Sequence, residues 1–255
     1  MKRRFFVNQR GGAPASAGHC VYGVHAVSAR LAAAPPQVQD LMVREQPSTR
    51  LAALVAAATR HGVPVRVVPA AALRELCGSD EHQGVVARVP PFRYADLEAV
   101  LARGCERVLV LDHLRDPHNF GALLRTAEAA GVGAVVIPKD GAVGVTAAVE
   151  KAAAGAALRV PVALVVNVAR TLQQLQAAGY WIIGLAANAG SELFEFDPPP
   201  RLAIVLGGEA GLRRLVQEQC DVLLRVPMTG QTESLNASVA GALAMYALRP
   251  RNRPT

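Results

Sequence analysis

The chain has 255 residues, 51% of them hydrophobic, and a formal net charge of +7. That length admits two modest domains or one large one. Its longest uncharged stretch, residues 171–191, is broken by glutamines, an asparagine and glycines, so no apolar run reaches the roughly 20 residues that a membrane-crossing helix requires. A soluble, cytoplasmic protein with no membrane partner is expected. The basic excess favours polyanionic partners, nucleic acid first, although only 3 of the 27 basic residues are lysine, an arginine bias that a GC-rich genome would also produce. Cys20, Cys77, Cys105 and Cys220 lie too far apart for a C-x-x-C pair that could hold zinc or run redox exchange; free thiols and no metal are expected.

Residues 1–20 read as a flexible basic tail, since MKRRFFVNQR precedes the first acid, Asp40, and the segment is glycine-rich after Arg10. It lacks the clear amphipathic helix of a transit peptide. Residues 21–90 then set strand-like runs at 38–43, 63–68 and 85–89 around two alanine-rich helices, which reads as a small α/β domain. Pro90 and Pro91 punctuate the chain, and residues 94–103 look helical within a linker spanning 91–105. From 106 to 250 six apolar runs follow, at 108–111, 134–137, 162–166, 181–185, 202–206 and 222–226, nearly all separated by helical segments. Continuous apolar strands alternating with helices imply a mostly parallel sheet with helices on both faces, which binds ligands at the carboxyl ends of its strands. Periodicity alone gives an open Rossmann-like sheet, closed by a short tail at 251–255.

Three strand-end segments therefore carry the functional reading. In the first, DHLRDPHNFGALLRTAEAAG (residues 112–131), Pro117 makes a turn, Asn119 is a candidate helix cap, and Phe120, Leu123, Leu124 and Ala127 form a buried stripe. Asn119 and Arg125 are six residues apart, and reach one crevice only if the loop before the helix folds back. The second, LGGEAGLRRL (residues 206–215), follows a strand and opens a helix, so its free amides suit an anion or a nucleoside. It is neither a Walker loop nor a Rossmann fingerprint, and Asp221, 14 residues after Gly207, falls too early for a ribose-binding acid. Glu209 is either a functional acid or a first-turn carboxylate favouring the helix dipole. The third, residues 226–246, crowds Ser234, Asn236 and Ser238 at a helix start, where one cap would suffice.

The ordered set DPHNFGALLRTAEAAGV, IVLGGEAGLRRL and PMTGQTESLNASVA resembles the three motifs of the SpoU/TrmH family within the SPOUT methyltransferases. YGVHAV (residues 22–27) and HQGVVARV (residues 82–89) look like the opening and closing segments of that family's small N-terminal RNA-binding domain. Together they suggest the bacterial subgroup that methylates a guanosine 2′-hydroxyl in the peptidyl-transferase region of 23S rRNA. The resemblance implies a trefoil-knotted SPOUT sheet, S-adenosylmethionine as cofactor, and a homodimer with its active site at the subunit interface. It implies further that Asn119, Arg125, Glu209, Ser234 and Asn236 gather around the reacting hydroxyl, while Gly207, Gly208, Val226, Met228 and Leu235 hold the cofactor. Two departures stand out: the 207–212 segment is one residue shorter than the family's G-x-E-G-x-G-L, and Ala237 replaces a common valine.

Arg125 suits stabilisation of a developing alkoxide or a neighbouring phosphate, since a guanidinium stays protonated and is a poor base. His113 and His118 read as solvated loop residues, and His82 as either an RNA contact or a turn residue. The alternatives are 2′-O-methylation of tRNA or another rRNA site, a noncatalytic RNA-binding assembly factor, and a nucleotide-dependent oxidoreductase, against which the missing ribose acid argues.

Overall fold

The computed structural model describes residues 19–45, 48–232 and 234–249. The expected tails at 1–20 and 251–255 lie outside these residues, except that His19 and Cys20 are described and Cys20 already begins a strand.

The N-terminal sheet is built from β1 (Cys20–Tyr22), β2 (Asp40–Arg44), β3 (Val65–Val68) and β4 (Val85–Arg88), in the order β1-β4-β2-β3. Only β2 and β3 run parallel. Helices α1 (Val24–Ala33), α2 (Thr49–Arg60) and α3 (Ala70–Cys77) cover it. Strand alternation divides the side chains. Val21, Leu41, Val43, Val85 and Ala87 face a core shared with Val27, Leu31, Leu51 and Leu54, whereas Tyr22, Met42 and Val86 face Leu73 of α3. The unit thus holds one strand and one helix, β1 and α1, beyond the three strands and two helices expected. A three-residue strand offers too little alternation to be read.

The linker helix α4 (Leu97–Ala102) is shorter than the expected 94–103, because Asp96 caps it by accepting from Ala99 N at 2.8 Å. The preceding Ala95 instead bonds Val162 O at 2.8 Å, at the edge of the second sheet.

That sheet contains β5 (Arg107–Asp112), β6 (Ala134–Pro138), β7 (Val162–Val165), β8 (Trp181–Leu185), β9 (Ser191–Glu192), β10 (Leu202–Gly207) and β11 (Val222–Arg225). The order is β7-β6-β5-β10-β8-β11-β9, with every pairing parallel. Helices α5 (Pro117–Ala129), α6 (Ala147–Ala153), α7 (Val168–Ala177), α8 (Arg214–Gln217) and α9 (Ala237–Ala247) complete it. Every residue of β5, β6 and β10 is buried, as a strand covered on both faces demands. Leu109, Leu111, Ile204 and Leu206 pack with α5, α6 and α9, while Val108, Val110, Ala203 and Val205 pack with α4, α7 and α8. No helix joins β8 to β10; the short β9 and a run of three prolines fill that connection.

Arg30 of α1 and Glu150 of α6 tie the two sheets together through a buried bidentate pair, at 3.0 Å and 2.8 Å. His19 Nε2 lies 3.1 Å from the same carboxylate, and Lys151 pairs with Glu81 nearby. No helix among the described residues is long and apolar enough to cross a membrane.

Candidate active site

The first segment leaves β5 through Asp112, which is completely buried, and turns at His113, whose φ of 59° puts a non-glycine residue in the left-handed region. Helix α5 is capped not by Asn119 but by Asp116, whose Oδ1 accepts from His118 N at 2.6 Å and Asn119 N at 2.9 Å, with Pro117 in the first turn. An Asp-Pro pair satisfies the helix start without Asn119. The Asn119 side chain is therefore spared capping, and it makes no hydrogen bond with any described residue. Asn119 and Arg125 stand on one helix, about 9 Å apart along its axis and about 120° apart around it, with Arg125 exposed and unpartnered among the described residues.

The second segment leads from β10 into α8 as expected, but not directly: Gly208 N bonds Asp112 O at 3.0 Å, Gly211 N bonds Gly208 O at 2.9 Å, and the chain doubles back before the one-turn α8 begins at Arg214. The turn holds Gly211 at φ 75°, and a Cβ on Gly207 would overlap the Gly211 carbonyl group. A Cβ on Gly208 would lie 2.6 Å from His113 O. Glu209 sits at the tip of this turn, exposed, unpartnered among the described residues and ahead of α8, which rules out a first-turn dipole role. Arg213 then turns inward, and its backbone N and Nε bond Asp112 at 3.0 Å and 2.8 Å. This pair plugs the crevice between β5 and β10, where strand order reverses and a doubly wound sheet would place a dinucleotide.

In the third segment Asn236 is the cap of α9, its Oδ1 accepting from Ser238 N at 2.8 Å and Ser238 Oγ at 2.6 Å. Its amide nitrogen stays free to donate. Ser234 is exposed, Leu235 and Val226 are half-buried, and Met228 is 40% exposed. From 227 to 235 the described backbone groups form no hydrogen bond with another described residue. Unpaired backbone of that length beside a strand end calls for water or a ligand.

Packing brings the three segments to one end of the sheet. A Cβ on Gly241 would overlap Leu123 Cδ2 and meet Leu206 Cδ2 at 3.0 Å, so α9 lies directly on α5 and on the end of β10. The glycine turn, Val226 and the 227–235 stretch thus surround the ends of β10, β8 and β11. Sequence reading missed residues 186–190, the loop after β8: since β8 lies between β10 and β11, that loop sits between the second and third segments. It also missed Asp112 and Arg213, whose partnership spans 101 positions and leaves no local signal. All four cysteines are free, and among the described residues no cluster of His, Cys, Asp and Glu is gathered as a metal site.

A parallel sheet with two glycine-bearing loops and a polar helix start at its carboxyl ends defines an α/β protein with a ligand site at its strand ends, and comparison with known proteins supplies the family. The SpoU rRNA Methylase family model matches residues 106–246, and a model described as RNA 2′-O ribose methyltransferase substrate binding matches residues 20–95. The chain belongs to the SpoU rRNA methylase family. It is 42% identical over 238 residues to the 23S rRNA (guanosine-2′-O-)-methyltransferase RlmB of Shewanella oneidensis, covering 91% of this chain and 97% of that one. It is 45% identical over 239 residues to the protein of the same name in Xylella fastidiosa, covering 91% and 96%. The AdoMet-bound rRNA methyltransferase of Sinorhizobium meliloti shares its fold, with a TM-score of 0.74 over 91% of this chain and 87% of that one at 22% identity.

Proposed function

We propose that this chain transfers a methyl group from S-adenosylmethionine to the 2′-hydroxyl of a guanosine ribose in the peptidyl-transferase region of 23S rRNA, in the cytoplasm and as a homodimer. The observation that carries the reading is the convergence of the three polar segments at the ends of β5, β10 and β11 in a chain so similar to 23S rRNA guanosine methyltransferases. The unit matching a substrate-binding model grips the RNA, helped by the basic balance of the chain.

The residues fit the cofactor. Gly207 and Gly208 give close backbone approach, the unpaired backbone of 227–235 offers donors and acceptors, and Val226, Met228 and Leu235 add apolar walls. Residues 186–190 complete the cradle from below. S-adenosylmethionine supplies an electrophilic methyl on sulfonium; alignment falls to the protein. Asn119, with its side chain spared from capping, orients the ribose hydroxyl, and Asn236 donates through its free amide nitrogen. Ser234 and Glu209, both exposed at the same end of the sheet, hold the sugar. Arg125 stays protonated and stabilises the charge that develops on the 2′-oxygen.

One copy of α5 cannot aim both Asn119 and Arg125 at one oxygen. The reading takes Arg125 from a second copy, and Val239 and Tyr246, 47% and 44% exposed on α9, give that copy an apolar surface to cover. It also carries the family's trefoil crossing, supported by β10 lying between β5 and β8 and by α9 returning onto α5.

The test is incubation of the protein with unmodified 23S rRNA and methyl-labelled cofactor, followed by mapping the modified nucleotide through reverse-transcription stops. Label at one guanosine ribose is expected. RNA binding without label would sink the enzyme reading, and a stop elsewhere would sink the choice of substrate.

A further inference from the structure

A second opening lies on the other side of the Asp112–Arg213 plug from the glycine turn. It is a cavity of about 330 Å³ beyond the ends of β5, β6 and β7, lined among others by His113, Val166, Asn167, Arg213, Arg214 and Leu215. That volume falls at the lower end of the roughly 300–1,000 Å³ of small-ligand sites. Its lip is apolar to a degree that solvent contact does not explain, since Val166 is 85% exposed and Leu215 57% exposed. Its floor is rigid. Arg213 is anchored on the buried Asp112, and His113 is fixed between Gly208, which packs on its carbonyl, and Gly141, where a Cβ would come within 2.7 Å of its ring. His113 Nδ1 is buried there 3.3 Å from Asp112 Oδ1, in a geometry that makes no hydrogen bond with a described residue.

We infer that this cavity receives one unpaired nucleotide of the RNA, a neighbour of the methylated one; the inference rests on the methyltransferase reading and extends it. Unstacked RNA bases stack on aromatic rings or Arg planes, or are flanked by apolar side chains, and are read along their edges. Val166 and Leu215 offer the walls, and Asn167 and Asp140, which also lines the cavity, offer a donor and acceptors for a base edge. Among the described residues the Arg214 guanidinium pairs only with Glu218, in a solvent-exposed i,i+4 pair, so it can turn to a phosphate. Position argues for RNA over other occupants. His113 begins the loop that leads into α5 and Asn119, and Arg213 ends the loop that carries Glu209, so a strand whose ribose sits between Asn119 and Glu209 runs past this mouth.

The experiment measures binding of the full chain to a transcript of the 23S peptidyl-transferase region. Val166→Asp and Leu215→Asp, both surface changes, are each expected to raise Kd about tenfold, the scale of one stacked base, with S-adenosylmethionine affinity and melting temperature unchanged. A scan of single abasic positions in the transcript is expected to find one nucleotide whose base loss costs the native protein the same factor and costs Leu215→Asp nothing more. Wild-type affinity in both variants, or base losses that add fully to the variant effect at every position, overturns the subsite. That result holds whether its true occupant is a protein or nothing. If the native protein binds with this pattern yet transfers no methyl, the methyltransferase reading fails and the subsite stands; failure to bind the transcript at all overturns both.

Discussion

Removing one end of the Arg30–Glu150 pair tests how the two sheets are held together. Arg30 is 5% and Glu150 3% exposed, so either partner left alone is a charge without adequate solvation. Breaking a buried pair in this way costs about 3–5 kcal/mol, whereas replacing both ends with apolar residues of similar volume is often neutral. Arg30→Ala leaves Glu150 with His19 at 3.1 Å and belongs near the lower figure, about 3 kcal/mol; Glu150→Ala strands the guanidinium and belongs near the upper, about 5 kcal/mol. Arg30→Met with Glu150→Leu is expected within about 1 kcal/mol of the native chain. Urea denaturation of the four proteins at pH 7 sets the cost of breaking the pair against that of replacing it. Burial works to raise the Glu150 carboxyl, but its hydrogen bonds to His19 and Arg30 outweigh that and hold it below the ordinary range. Its contribution is therefore complete above the unfolded value of about 4.3 and is lost as pH falls through the lower folded value. Equal stability in both single variants and the double variant, or a difference between native and Glu150→Ala that does not shrink in acid, would refute the reasoning.

Three further outcomes are expected. Gly207→Ala forces a methyl into the Gly211 carbonyl group, which no side-chain rotation relieves, so isothermal titration should show S-adenosylmethionine affinity falling at least about tenfold, with a stability loss of about 1–3 kcal/mol. Asn119→Ala should fold and bind cofactor normally while methyl transfer to rRNA drops about a hundredfold or more; Arg125→Lys keeps charge but loses the planar fork, and full activity in that variant would refute a forked contact. Burial, with Asp221 and Asp112 adding to it, pushes the Cys220 thiol up to about 12, so mass spectrometry should find it unalkylated by iodoacetamide at pH 8 in the native protein and modified after unfolding in urea.

The apolar runs located the large sheet well, and β8 falls on residues 181–185 as its sequence suggests. β5 is longer at both ends than its run of valines and leucines, because Arg107 and Asp112 are charged yet buried. Arg107 reaches the carbonyls of Ala130, Gly131 and Met245, and Asp112 meets Arg213. Charge ends a hydrophobic run in sequence, while the partners that make burial tolerable lie 23 to 138 positions away. At the site, Asp116-Pro117 and Asn119 carry equally good capping signals for α5 in the sequence, and the structure uses Asp116. The glycine turn was visible as glycines, yet its direction was not: the Gly208 bond to the end of β5 turns the chain back on itself before α8 begins at Arg214. Strand order, and with it the place of residues 186–190, depends on pairings that no local pattern records.

The position of β10 also governs how the chain is made. Leu202 pairs with Arg107, so β5 gains its central neighbour only after 95 more residues have been synthesised. At about 5–20 residues per second that interval is about 5–20 s, during which a strand buried on both faces in the finished protein presents an open, apolar edge. β6 and β7 can dock on its other side meanwhile, yet the half-sheet cannot close. Nascent chains of this protein are thus exposed to mispairing for longer than a sheet wound in simple sequential order, and chaperone engagement should concentrate in that window.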